Sequence, residues 1–307
     1  MNSPFFDLRV FCDGLSTTVV SWELDPRFPD PLPYTFELQF APAETAFASN
    51  EYQILVSGVG VTTLVDTVMR GGGLLEDSYY RVRLTTPLGS YDSEIKGAVG
   101  NVSTNNIPLL RELRRKEALA LRKDRGAIPG YLFKRRTYGP KCKCHDKNTG
   151  EMVGATCPDC AGSGFVGGYF PAVPYTLLLQ SPEVREVQRS NIGTADTRVL
   201  TARCQPVPEP QSKDVWMEAD TTKAYEIRKY ELISRLSFQP VAGQLEMRQL
   251  AQADTVAVLI NALLRTQVPT QSTLPPGSDF GKVTASNDLS NGMTVCAPAD
   301  VPIIRKS

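Results

Sequence analysis

The sequence predicts a mainly β protein in several folded pieces, and three observations carry that expectation. Short β-prone runs, separated by Pro- and Gly-rich breakers, recur over most of the chain. Its 307 residues exceed what one core usually serves. Four of its seven cysteines crowd into residues 142–160, as in a small module held by a metal. The charge balance adds a layout. Lys+Arg and Asp+Glu number 33 each, yet residues 1–100 carry a net −7, residues 101–147 a net +9 and the remainder −2. A chain basic throughout, coating nucleic acid non-specifically, is excluded.

Residues 1–99 read as a seven-stranded antiparallel sandwich. Its strands are expected at Phe5–Phe11, Thr17–Leu24, Tyr34–Phe40, Tyr52–Val56, Val61–Val65, Tyr79–Leu84 and Tyr91–Lys96. Breakers such as Asp25-Pro26, Gly71-Gly72-Gly73 and Pro87 to Gly89 separate them. Seven short strands in this length make an immunoglobulin-like fold.

Residues 100–138 read as a basic helical connector. Asn105-Asn106 precede a helix expected from Ile107 to Arg125, which Gly126 and Pro129 end. Leu110, Leu113, Ala120 and Leu121 form a narrow apolar stripe, interrupted by Glu117, so most of the helix surface is expected to be basic and solvated. Tyr131 to Tyr138 interleaves aromatics with Lys134-Arg135-Arg136. That pattern suits single-stranded nucleic acid, a solvated face or a protein contact.

Residues 139–170 form a zinc-ribbon-like module. Cys142-Lys143-Cys144-His145 and Cys157-Pro158-Asp159-Cys160-Ala161-Gly162 offer two close thiol pairs across a hairpin, which suits one tetrahedral ion. Cys142, Cys144, Cys157 and Cys160 are the expected ligands of a structural zinc. The first pair is one residue tighter than usual, so His145 is an alternative fourth ligand, and metal-free packing or a disulfide are the competing readings. Gly162-Ser163-Gly164-Phe165-Val166-Gly167 matches a dinucleotide-binding pattern only formally, since no βαβ unit surrounds it.

Residues 171–264 read as a second β domain, a small barrel or sandwich, with residues 251–264 either a last strand or a short helix. Residues 265–307, rich in Pro, Ser, Thr and Asn, form an extended C-terminal arm: either a segment that orders against a neighbouring subunit or plain disorder. Cys12 and Cys204 are expected as small buried hydrophobes. No signal-peptide pattern opens the chain, and the longest apolar run, Thr255 to Leu264, is half of a bilayer span, so a soluble protein made in the cytoplasm without a membrane partner is expected. The single histidine lies between the cysteine pairs, and no phosphate-binding loop or ligand-spaced carboxylate cluster occurs, so no enzyme and no small-molecule substrate is expected.

Two resemblances follow. Trp22 closing the strand Thr17 to Trp22, Leu74 six residues before Tyr80, and Val82 and Leu84 alternating after it resemble a fibronectin type III domain. The stretch from Gly130-Tyr-Leu-Phe-Lys-Arg-Arg through the cysteine pairs to Tyr169, then Asp214-Val-Trp-Met and Lys229-Tyr-Glu-Leu-Ile, looks like a family of tailed-bacteriophage virion structural proteins. Lys141-Cys142-Lys143-Cys144 departs from that family, which often has Cys-Pro-x-Cys there. The resemblance implies a virion component made in the host cytoplasm, a homo-oligomeric ring at the neck contacting other neck and tail proteins, with a possible DNA contact through the basic helix. A baseplate or tail-fibre adaptor of the same virion is the near alternative. A zinc-ribbon nucleic-acid-binding protein using residues 111–147 is the alternative from another class.

Overall fold

Alternation in residues 5–98 sends every second side chain to one face, and eight short strands result. They are β1 (Phe5–Cys12), β2 (Thr18–Leu24), β3 (Thr35–Ala41), β4 (Gln53–Val59), β5 (Thr63–Asp66), β6 (Tyr79–Thr85), β7 (Ser90–Asp92) and β8 (Lys96–Gly97). The computed structural model describes residues 3–15, 17–28, 30–67, 78–100, 102–144, 157–180, 185–190 and 193–267. Gly71-Gly72-Gly73, Leu74, His145 and the arm beyond residue 267 lie outside the described residues.

The strands form two antiparallel sheets, β1-β2-β5 and β4-β3-β6-β7, with β8 also paired to β6. Ser93 separates β7 from β8: its N–H donates to the Val82 carbonyl at 2.8 Å and its hydroxyl accepts the Val82 N–H at 2.9 Å. Leu8, Val20 and Trp22 from one sheet and Phe36, Leu38, Tyr80 and Val82 from the other make a single core. Trp22 meets Phe36 with ring centroids 5.0 Å apart. Each such buried side chain contributes about 1.5–3 kcal/mol.

The connector helix α1 (Ile107–Ala120) is one turn and a half shorter than its sequence pattern. Arg122 turns extended, Lys123–Arg125 forms a 3-10 turn, and Gly126, at φ 86°, reverses the chain. Asn106 makes no side-chain cap; a 3-10 turn at Thr104–Asn106 leads into the helix instead. The expected basic, solvated surface holds at Arg115, Lys116, Arg122, Lys123 and Arg125, which are exposed, with one exception. Arg114 is fully buried. It donates to the Ala98 carbonyl at 3.2 Å, the Pro240 carbonyl at 3.3 Å and the Gln239 Oε1 at 3.3 Å, and its guanidinium stacks 4.8 Å above the Phe11 ring. Among the described residues no carboxylate pairs with it, and burial lowers its pKa to about 10. Glu117, which interrupts the apolar stripe, binds Arg203 at 2.6 Å.

The second sheet draws on a segment that reads as connector. β9 (Gly130–Phe133) joins β10 (Val173–Pro174), β11 (Leu177–Leu179), β12 (Arg185–Ser190), β13 (Gly193–Cys204), β14 (Val215–Glu218), β15 (Ala224–Leu236) and β16 (Gln239–Gln249). The order is β10-β9-β14-β15-β16-β13-β11, with β12 paired to β13. Because β10 and β11 are consecutive parts of one segment, and Ile128 exchanges hydrogen bonds with Leu177, the pairing closes on itself. Closure removes free edges from the ring of strands, and β12, paired to β13 alone, stands outside it. Leu132, Tyr175, Leu177, Trp216, Tyr225, Ile227, Leu245 and Met247 fill the interior. Gly130 has no room for a side chain: a Cβ would sit 2.5 Å from the Trp216 ring. The Trp216 Nε1 donates to the Tyr175 carbonyl at 2.8 Å.

Within residues 251–264, open between strand and helix on periodicity, the part from Thr255 onward belongs to α2 (Thr255–Gln267). Its Ala257 and Ile260 cover Phe133, Val215, Met217 and Leu250 on the outer face of the closed sheet. Cys12 and Cys204 are buried, and burial pushes the Cys204 thiol up to about 12. The β15–β16 hairpin turns at Ser237-Phe238, both at positive φ, leaving the Phe238 ring exposed at the tip.

Replacing Arg114 leaves two carbonyls and an amide unsatisfied in a dry site. Arg114→Ala is expected to destabilise the chain by about 3 kcal/mol or more, and Arg115→Ala, on an exposed pair with Glu112, to leave stability almost unchanged, both read by urea unfolding.

Candidate metal centre

The cysteine module grows out of β9 as an excursion that leaves and returns along itself. Phe170 N–H donates to the Lys134 carbonyl at 2.8 Å, Arg136 N–H to Gly168 at 3.0 Å and Cys142 N–H to Gly164 at 2.9 Å. These rungs carry the first pair outward and bring the second pair back beside it. The second pair sits on a tight turn, with Ala161 N–H bound to Cys157 at 2.8 Å and Ser163 N–H to Cys160 at 2.9 Å. Ala161 and Gly162 take positive φ there, which turns the backbone around the sulfurs.

The four predicted ligands come together. The Sγ atoms of Cys142, Cys144, Cys157 and Cys160 all lie within 4.8 Å of one another. Cys142 and Cys157 are 3.7 Å apart, and Cys144 and Cys160 are 3.3 Å apart. A tetrahedral ion with metal–sulfur bonds of about 2.3 Å sets its ligands about 3.8 Å apart, so this cluster fits one ion. Cys142 and Cys160 are buried, the other two half-buried. His145, the alternative ligand, lies outside the described residues.

The electrostatics point the same way. The backbone N–H groups of Asp159 and Cys160 bring the Cys157 thiol down to about 7, while the sulfurs of Cys160 and Cys142 push Cys144 up. Four thiolates at this spacing repel unless a cation sits between them, and a bound cation deprotonates thiols outright. Arg135 donates to the Gly162 carbonyl, and Lys141 lies 4.8 Å over the Phe165 ring.

The aromatic–basic stretch that suits nucleic acid is largely turned inward. Leu132, Phe133 and Tyr138 are buried, and Arg136 stacks 5.1 Å from Phe170 while its Nε donates to the Tyr169 carbonyl at 2.9 Å. Tyr138 and Phe170 enter the core shared with the first two sheets, and Tyr169 enters the one under α2. Gly168, at φ 66°, leaves no space for a Cβ, which would meet the Leu259 side chain at 2.7 Å. The module is thus seated on both neighbours.

Asp214 anchors the root of the module, and no sequence pattern singles it out. Its side chain accepts the Arg135 N–H and the Gln211 N–H, each at 2.8 Å, with the Lys134 Nζ at 3.9 Å. It is almost wholly buried, and burial raises its pKa to about 6 against those three partners. A groove of about 540 Å³ opens beside the module, lined by Arg135, Gly162, Tyr169, Lys213, Glu226 and Asp254. Its carboxylates have structural partners: Glu226 binds Arg248 at 2.9 Å, and Asp254 caps α2 through Val256 N–H at 2.9 Å.

Fold and site together define a mainly β protein with a four-cysteine cluster able to hold a metal ion. No family model matches the chain, and comparison with curated proteins finds no significant relative.

Two outcomes are expected. Elemental analysis should find one metal ion per chain, lost in Cys160→Ser together with several kcal/mol of stability, since structural metal binding is folding free energy. Asp214 holds its proton more tightly folded than unfolded, so its contribution is present below about pH 4 and lost as pH rises through about 6. Between pH 5 and 7 the stability of the parent chain relative to Asp214→Asn should therefore fall by about 1 kcal/mol, read by urea unfolding at each pH.

Proposed function

We propose that this chain is a non-enzymatic structural component of a tailed-bacteriophage virion. It assembles as a ring at the neck, where head meets tail, and a structural zinc closes the Cys142, Cys144, Cys157 and Cys160 cluster. The observation that carries the reading is what the cysteine module touches. Its aromatic side chains enter two different cores, and four sulfurs complete a tetrahedron with no open position for substrate. Such a centre stiffens a scaffold. Zinc fits because an all-thiolate tetrahedral set is its usual structural site.

The resemblance of residues 5–98 to a fibronectin type III domain is supported by antiparallel sheets split around Trp22. In this reading that part projects outward, and the later β strands meet neighbouring copies and other neck proteins. A baseplate position in the same virion would serve the same architecture.

One observation favours a second reading, nucleic-acid binding. Arg115, Lys116, Arg122, Lys123 and Arg125 are exposed along and just after α1. Cryo-electron microscopy of virions, paired with DNA binding at rising salt, separates the two. Density for this chain at the neck, with little DNA affinity at moderate salt, is the expected result. Absence from the particle, together with tight DNA binding that falls steeply with salt, would reverse the choice.

A further inference from the structure

We propose that the outer edge of β4 is a pairing surface for a second copy of this chain, forming a two-fold antiparallel β ladder. The inference is independent of the virion reading. β4, Gln53-Ile54-Leu55-Val56-Ser57-Gly58-Val59, ends its sheet, and among the described residues no strand pairs with its outer side. It carries neither charge nor proline, and Ile54 and Val59 are 57% and 63% exposed.

Two of the other edges, β1 and β7, are guarded by charge. β1 carries Asp7 and Arg9, and Lys96 reaches across to bond the Leu8 carbonyl. β7 carries Asp92, held by Arg83 at 2.7 Å. Charge on an edge is the usual guard against strand addition, and β4 has none.

The register makes the edge complementary to itself. Val59 lies opposite Thr35, Ser57 opposite Glu37 and Ile54 opposite Gln39, with the extra residue Leu55 absorbed between Leu38 and Gln39. Ile54, Ser57 and Val59 therefore share one face, and Ser57 sits midway between the other two along the ladder. A two-fold axis at Ser57 sets Ile54 against Val59 of the second copy and Val59 against its Ile54. On the opposite face Val56 meets Gly58, which offers no side chain to clash. Gly60 N–H donates to the Tyr34 carbonyl at 2.9 Å, so alternation turns the main-chain groups of Ser57 and Val59 to the open edge. Such a contact closes after two copies, so it joins copies outside any one cyclic ring.

The test is sedimentation of the full chain over a wide concentration range. A reversible dimer is expected. Ser57→Lys sets like charges face to face on the axis and should raise the dissociation constant at least about tenfold, with the melting temperature unchanged at concentrations where the parent is monomeric. Ser57→Cys should give a cross-linked dimer under oxidised glutathione beyond any seen in the parent chain, since opposed residues lie about 5.5 Å apart across such a ladder. A chain that stays monomeric throughout overturns the proposal. So does a dimer that S57K leaves intact, or an S57C chain that cross-links no more than its parent.

Discussion

The buried guanidinium of Arg114 is the contact on which the arrangement of this chain turns. It is fully enclosed and without a carboxylate partner among the described residues, yet it binds the end of the first pair of sheets at Ala98, the tip-side hairpin at Gln239 and Pro240, and the ring of Phe11. A charge kept out of water is costly unless its donors are satisfied, and here three acceptors from two separate parts of the chain satisfy them. The cost of misplacing any one part is therefore felt by all of them. Gly14 shows how close the fit is: a Cβ there would lie 2.8 Å from the Arg111 carbonyl of α1.

The second constraint is the cysteine module, whose few apolar side chains are spent on its neighbours. Tyr138 stacks near Tyr34 and Phe170, with ring centroids 5.5 and 4.8 Å away, so the module's inner aromatics belong to the core of the first sheets. Around the cysteines the described residues form turns, and the clustered sulfurs are suited to holding their shape. Asp214 secures the other end by accepting two main-chain N–H groups at the point where the excursion leaves β9.

Much of this was legible from spacing. The β-prone runs of residues 5–98 became strands because alternation in half-buried strands is a local property, and the four cysteines met because two close pairs on one hairpin have few other places to go. The helix pattern over Ile107 to Arg125 was half read. Its apolar stripe is real, but its last turn opens at Leu121, where a 3-10 turn and a left-handed glycine redirect the chain. Gly130 to Phe133 looked like part of a basic connector because the bases that follow dominate the composition; its role as a strand depends on partners more than forty residues downstream. For residues 251–264 an unbroken apolar run fits either period, and only the outer face of the closed sheet selects a helix.

The sequence by itself determined the mainly β class of the fold, the clustering of four cysteines that could hold a metal ion and the two small buried thiols, since each depends on residues near one another in the chain or on side-chain type alone. Tertiary structure decided where charge goes. Arg114 and Asp214 read as ordinary polar residues of a helix and a strand start, and nothing in their neighbours marks them for burial. Their surroundings are assembled from segments far apart in sequence, and the free energy of a buried charge is set by that assembled shell of acceptors and donors.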